Sequence, residues 1–309
     1  MKKILLATTM LAGTAGFAAA EVAVSGYAEM GIWSNSVGDV AFWQDVEVTF
    51  SMSGTTDGGL EFGASIDLDE SDVDAAGNVD VAPNGNGSTV YISGAFGKLT
   101  MGDTDGALDW AVQDSGSLTS IADDHTTHLY YFAANGFDGA GDGQIARYEN
   151  TFGAFGFAIS AEQGDNGIGV ADDIWGVGLK YTADMGGTAV NLGLGYQDAG
   201  DDDVIGVSVG AELAGGFSGT LGYLSYDYLA AGADYDHIGL GLTYTTGALS
   251  LHANAGRYDP EVGTSDTTYG VAVNYDLGGG AVVMAGWGSD VSAAAGDQDQ
   301  WSIGLGMSF

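Results

Sequence analysis

Trp301-Ser302-Ile303-Gly304-Leu305-Gly306-Met307-Ser308-Phe309 closes the chain, with apolar side chains at every odd position and Ser or Gly at every even one. Successive side chains of a strand point to opposite faces, so this segment presents one apolar face and one small polar face. It is a strand that meets two different solvents. The same alternation recurs over nearly the whole chain in segments of about ten residues divided by turn residues, the signature of an outer-membrane β-barrel.

Residues 42–53 send Phe42, Val46, Val48, Phe50 and Met52 to one side and Trp43, Asp45, Glu47, Thr49 and Ser51 to the other. Residues 60–69 repeat the device, Phe62 and Ile66 alternating with Glu61 and Asp67. A one-residue slip would drive carboxylates into hydrocarbon. Asp45, Glu47, Glu61 and Asp67 are therefore expected on the lumen wall, and Val46, Val48, Phe62 and Ile66 against lipid. The pattern predicts an all-β, antiparallel transmembrane barrel of about sixteen strands: 22–33, 42–53, 60–69, 89–95, 99–102, 145–152, 155–162, 174–182, 188–197, 204–213, 217–228, 236–245, 249–258, 267–277, 281–289 and 300–309. In 217–228 the apolar phase changes between Tyr223 and Leu224, which reads as a bulge.

Residues 1–20 stand apart. Lys2 and Lys3 precede a short apolar core, and Ala18-Ala19-Ala20 offers a cleavage site before Glu21, the layout of a secretory signal peptide. The mature chain, 21–309, reads as a single barrel domain. Without Lys2 and Lys3, only Lys98, Arg147, Lys180 and Arg257 stand against 42 acidic residues. Such a polyanion, lacking any basic stripe, excludes nucleic acid as a partner. Mean hydropathy is nevertheless +0.10, so charge belongs in loops and lumen and apolar surface elsewhere. There is no cysteine, hence no disulfide framework and no thiolate site. No apolar run after residue 20 approaches the roughly 20 residues of a spanning helix, and a closed barrel is the alternative that pairs every backbone group. Pro83 and Pro260 fall outside every predicted strand, as suits residues that cannot donate to a ladder.

Short connections alternate with long ones; in such barrels the short turns face the periplasm and the long loops the exterior. Acids gather in the long ones, at 69–80, 165–173, 198–203, 259–266 and 290–299. Tyr181, Tyr244 and Tyr275 near short turns, and Tyr196, Trp287 and Trp301 near long loops, form the two tiers of an interfacial girdle. One connection breaks the size rule. Residues 103–144 hold no clear strand yet carry Trp110, Leu118, Ile121, Leu129, Tyr130, Tyr131, Phe132 and Phe137. So apolar a segment needs a wall to pack on, and in a wide barrel that wall is the inner one. It is expected to narrow the lumen and bring Asp103, Asp105, Asp109, Asp114, Asp123 and Asp124 to the constriction. Glycines at alternate strand positions read as keeping the lumen open or relieving crowding.

The stretches SGTTDGGLEFGASID (53–67), SGAFGKLTMGD (93–103) and ARYENTFGAFGFAIS (146–160), with the terminal Phe309, resemble the general diffusion porins of Gram-negative outer membranes, most closely the Rhodobacter type. The resemblance implies a homotrimer in contact with lipid and lipopolysaccharide, passive diffusion of small hydrophilic solutes without a required cofactor, and a third loop folded inward after Gly102. It also implies that Phe309 serves barrel assembly and that the ends at Glu21 and Phe309 meet on paired strands. In that family the acidic third loop faces an Arg and Lys cluster. Here only Arg147 and Lys180 take lumen-facing positions, with Arg257 at a loop edge and Lys98 in a periplasmic turn. The transverse field is therefore weak, and the acids predict a cation preference.

Two other classes stay open. A barrel-embedded hydrolase would need a Ser-His-Asp set, which can be drawn from Ser250 or Ser117 with His252 or His125, but no nucleophile elbow surrounds either serine. His125 and His128, beside Asp123 and Asp124, have the spacing of metal ligands, although hydrogen-bonded loop histidines are the plainer account. An acidic, calcium-binding exported β-protein is the third class. Neither an EF-hand loop nor a nonapeptide repeat is present, but the charge suits calcium at Asp103, Asp109, Asp123 and Asp124, or calcium bridging acidic loops to lipopolysaccharide. A salty habitat, where screening lengths are short, accounts for the acidity equally well.

Overall fold

The computed structural model describes residues 20–34, 40–69, 87–116, 118–124, 126, 128–164, 172–289 and 299–309. Its strands are β1 (Glu21–Ser34), β2 (Val40–Thr55), β3 (Glu61–Asp69), β4 (Ser88–Gly94), β5 (Gly97–Gly102), β6 (Ile145–Phe152), β7 (Phe155–Glu162), β8 (Ile174–Asp184), β9 (Ala189–Ala199), β10 (Asp202–Leu213), β11 (Phe217–Asp227), β12 (Tyr235–Thr246), β13 (Leu249–Pro260), β14 (Asp266–Gly278), β15 (Ala281–Gly288) and β16 (Gln300–Ser308). Each pairs with its sequence neighbours, and β1 pairs with β16, so the sheet closes into a 16-strand antiparallel barrel without edges. Closure runs to the last residue: Phe309 donates to the Gly26 carbonyl at 2.8 Å and accepts from the Gly26 N–H at 3.3 Å. Between β5 and β6 lie two short helices, α1 (Ala107–Ala111) and α2 (Ile121–Asp124). Among the described residues no helix is long and apolar enough to cross a membrane.

The two faces separate as the alternation requires. Val46, Phe62 and Ile66 are 48%, 42% and 42% exposed on the outside, while Asp45 is 2% exposed. Asp45 and Glu47 lie opposite Glu29 and Tyr27 of β1, and Asp67 accepts from the Thr49 hydroxyl at 3.0 Å. At the short-turn ends the outward aromatics pair across strands, Phe155 with Tyr181 and Phe217 with Tyr244, ring centroids 4.8 and 4.4 Å apart.

Several expectations need correction. No bulge interrupts β11, whose register is continuous with both neighbours. The apolar phase changes because Leu224 and Tyr226 turn inward and pack beneath residues of the 103–144 segment. The register shift lies instead on β14, between Asp276 and Gly278. Pro260 is the last residue of β13, opposite Tyr235; at that end the next donor, Glu261 N–H, already serves the Asp234 carbonyl (2.8 Å). Residues 198–203 are no long loop, since Gly200, at φ 83°, turns the chain at once and sets Asp203 opposite Asp198. Lys98 belongs to β5, because Gly97 at φ 108° completes the turn before it. Residues 1–19 of the expected signal peptide, Pro83, Ser117, His125 and most of 69–80, 165–173 and 290–299 lie outside the described residues.

Candidate functional site

Residues 103–144 run along the inner wall, and the wall is shaped to take them. A Cβ on Gly178 would overlap the Ala107 carbonyl oxygen, one on Gly193 that of Ala111, on Gly241 that of Ser115, on Gly256 that of Tyr130 and on Gly270 that of Thr126. Gly31 and Gly304 leave room for Ile121. The strand glycines are thus the seat of this segment. Its buried backbone groups need partners, and wall side chains supply them. Ser160 accepts from Ala107 N–H and Ser208 from Gln113 N–H, both at 2.9 Å. Gln197 accepts from Phe137 N–H at 2.7 Å and Thr268 from Tyr130 N–H at 3.0 Å. Leu108, Val112, Phe132 and Phe137 bury their side chains against Ile174, Val204, Leu224 and Tyr226.

Two carboxylates that the sequence reading did not single out act as anchors. Glu162 accepts from the N–H groups of Gly139, Gly141 and Gly143 at 3.0, 2.9 and 2.9 Å. Glu29 accepts from Ala122 N–H at 2.8 Å, from Trp43 Nε1 at 3.0 Å and from the Tyr27 hydroxyl at 2.8 Å. It thereby fixes α2, where Ala122 adopts φ 64°, an uncommon conformation for a residue with a Cβ. Strand phase was the signal for both: Glu29 shares its face with Tyr27 and Gly31, and Glu162 with Ser160.

The predicted constriction acids have separate fates. Asp103 stands at the segment's root and accepts from Gly87 N–H at 2.7 Å. Asp105 is exposed and approaches Arg147 Nη1 at 3.7 Å. Burial, with repulsion from Asp105, Asp114 and Asp138, pushes the Asp109 carboxyl up to about 7 against the opposing pull of Arg147. Asp114 accepts from Ala134 N–H at 2.8 Å. Asp138, unforeseen, accepts from Gly106 N–H and from Gln197 Nε2, both at 2.6 Å, and burial pushes it up to about 6. Asp123 and Asp124 end α2, and their side chains lie outside the description.

On the wall, Asp45 and Glu47 of β2 and Glu61 and Asp67 of β3 share the inner face. The inward cations stand on β5, β6 and β8, each with a partner. Lys98 Nζ rests 4.7 Å from the centre of the Tyr91 ring and Lys180 Nζ 4.0 Å from that of Trp110. Arg147, 7% exposed, gives Nε to Glu149 at 2.9 Å and Nη1 to the Asp105 carbonyl. They form a patch beside the segment's root.

His128 lies between Thr268 and Asn254, its Nε2 3.0 Å from Asn254 Oδ1, and burial pulls it down to about 4. His237 meets the Tyr130 carbonyl and His252 the Thr243 hydroxyl. These three are structural contacts, none of them to a serine or carboxylate. Among the described residues no group of three or more His, Asp or Glu side chains converges as a metal site would.

The chain matches the profile of the family described as Gram-negative porin over residues 7–290. It is 32% identical over 289 residues to a porin of Rhodobacter capsulatus, covering 86% of this chain and 93% of that protein. A porin structure refined at 1.8 Å superposes with a TM-score of 0.71 at 28% identity, over 94% of this chain and 100% of the other. A triple mutant of Rhodopseudomonas blastica porin shares the fold at 21% identity, TM-score 0.67, over 93% and 100% of the two chains.

Proposed function

This chain belongs to the Gram-negative porin family and is an outer-membrane diffusion channel, and on that premise we propose a water-filled, weakly discriminating pore that prefers cations. The observation that carries the preference is the partnering of charges. Every inward Lys and Arg among the described residues rests on a ring or a carboxylate, whereas neither ion pair found among the described residues involves Glu61 or Asp67 of β3. Carboxylate-lined constrictions favour cations. The Debye length at physiological salt is about 8 Å, so wall charges within that reach of an ion outweigh acids in distant loops. Asp105 and Asp109 add to the field from the segment; Asp103 and Asp114 add less, being held by backbone N–H groups.

The working assembly in this reading is a homotrimer embedded in lipid and lipopolysaccharide, passing small hydrophilic solutes, with Phe309 completing the closing strand during assembly. Calcium at Asp103, Asp109, Asp123 and Asp124 would offset part of the negative field. A potassium chloride gradient across a planar bilayer, with and without chelator, tests the reading. Cation preference in both conditions supports it, and anion preference in both refutes it. Cation preference appearing only with chelator would assign the sign to bound calcium.

A further inference from the structure

We propose that Trp110 is a specificity-determining residue of the pore: its indole holds the Lys180 ammonium against the wall and out of the ion path. The inference rests on the channel reading above. Lys180 is an inward residue of β8, directly opposite Gly156 of β7. Its Nζ lies 4.0 Å from the centre of the Trp110 ring. Gly156 opens the slot that the indole occupies, since a Cβ there would come within 3.0 Å of Trp110 Cη2.

The ring is carried on a fixed support. Trp110 N–H donates to the Gly106 carbonyl at 2.9 Å, Ala107 N–H is held by Ser160 at 2.9 Å, and the α1 backbone beds on Gly178 and Gly193. Trp is the aromatic that attracts a cation most strongly. Arg147 spends its charge on Glu149 and Asp105, so it cannot substitute for Lys180 as a mobile positive group. A lysine stem is long and flexible. Released from the ring, its ammonium can swing several ångströms toward the axis, within one Debye length of passing ions. There it would repel cations and attract anions together, and one partly screened charge at that distance lowers the cation-to-anion permeability ratio roughly threefold.

Reversal potentials in a potassium chloride gradient, measured for the full-length channel, test this. Trp110→Leu fills the slot without a π face, and Trp110→Phe keeps a weaker one. The expected result is a roughly threefold fall in the ratio for Trp110→Leu, a smaller fall for Trp110→Phe, and no fall for either change when Lys180→Gln is already present. Equal shifts with and without Lys180 would overturn the proposal, because they would report pore geometry. So would unchanged ratios in both single variants. If Trp110→Leu does not assemble, Trp110→Phe compared across the two Lys180 backgrounds decides by the same criterion. Anion preference in the unaltered channel would defeat the selectivity reading and leave this difference measurable.

Discussion

The inner wall is built to opposite rules in two regions. Beneath the inward segment, on β8 to β14, the wall is fitted to protein: Gly178, Gly193, Gly241, Gly256 and Gly270 receive backbone, Val204 and Leu224 are fully buried, and Gln197, Ser208 and Thr268 accept from the segment's backbone N–H groups. On β2, β3 and β6 the same inward phase carries Glu47, Glu61, Asp67, Arg147 and Glu149. The polar groups of the inner face are solvated where it meets water and hydrogen-bonded to the segment where it meets protein. Where it meets protein it follows the rules of a core, and side-chain phase alone does not say which of the two applies.

The largest effect should come from filling the seat. Gly241→Val would force the wall into the Ser115 carbonyl, and backbone cannot yield as a flexible side chain does. A loss of about 3 kcal/mol, at the upper end for overpacking, is expected, against about 0.5 kcal/mol or less for Ser51→Val on the uncovered wall. Unfolding of the detergent-solubilised barrel by denaturant would read the difference, and similar losses at both positions would erase the distinction between the regions. Next in size, Leu224→Ala should cost about 2 kcal/mol, the low end for buried leucines, and lipid-facing Leu221→Ala clearly less. Equal costs would mean that β11 is not covered from within.

A third effect is smaller and depends on pH. Asp109 has its folded pKa raised to about 7 from 3.8, so its contribution to stability is full below pH 3.8 and is lost as pH rises through 7. Its charge follows the opposite course, present above pH 7 and absent well below. Cation preference should therefore weaken between pH 8 and pH 5.5, and Asp109→Asn should remove the upper part of that change, Asp138, pushed up to about 6, carrying the lower part. A pH response identical in the variant would assign the titration elsewhere.

The barrel was legible in the sequence because lipid on one side and water on the other impose a two-residue period that few other environments sustain. The inward position of 103–144 was legible for the same kind of reason, since Trp110, Phe132 and Phe137 needed a wall. What escaped was the contact between the two. Leu224 looked like a bulge because nothing local marks a strand whose inner face is roofed by protein. Glu29 and Glu162 passed unnoticed because the segment groups they hold are backbone N–H groups some 93 and about 20 residues away in the chain, which no local pattern records. The loop carboxylates were visible as charges, but Asp103 and Asp114 are partly consumed in holding the segment.

The central claim, that ion preference belongs chiefly to the uncovered wall, is tested most directly by comparing two sets of neutralised acids in one potassium chloride gradient. Glu47→Gln, Glu61→Gln and Asp67→Asn form the wall set; Asp103→Asn, Asp105→Asn and Asp114→Asn form the segment set. The account predicts that the wall set lowers the cation-to-anion permeability ratio by more than the segment set does. An unchanged ratio in the wall set, with a large fall in the segment set, would contradict it.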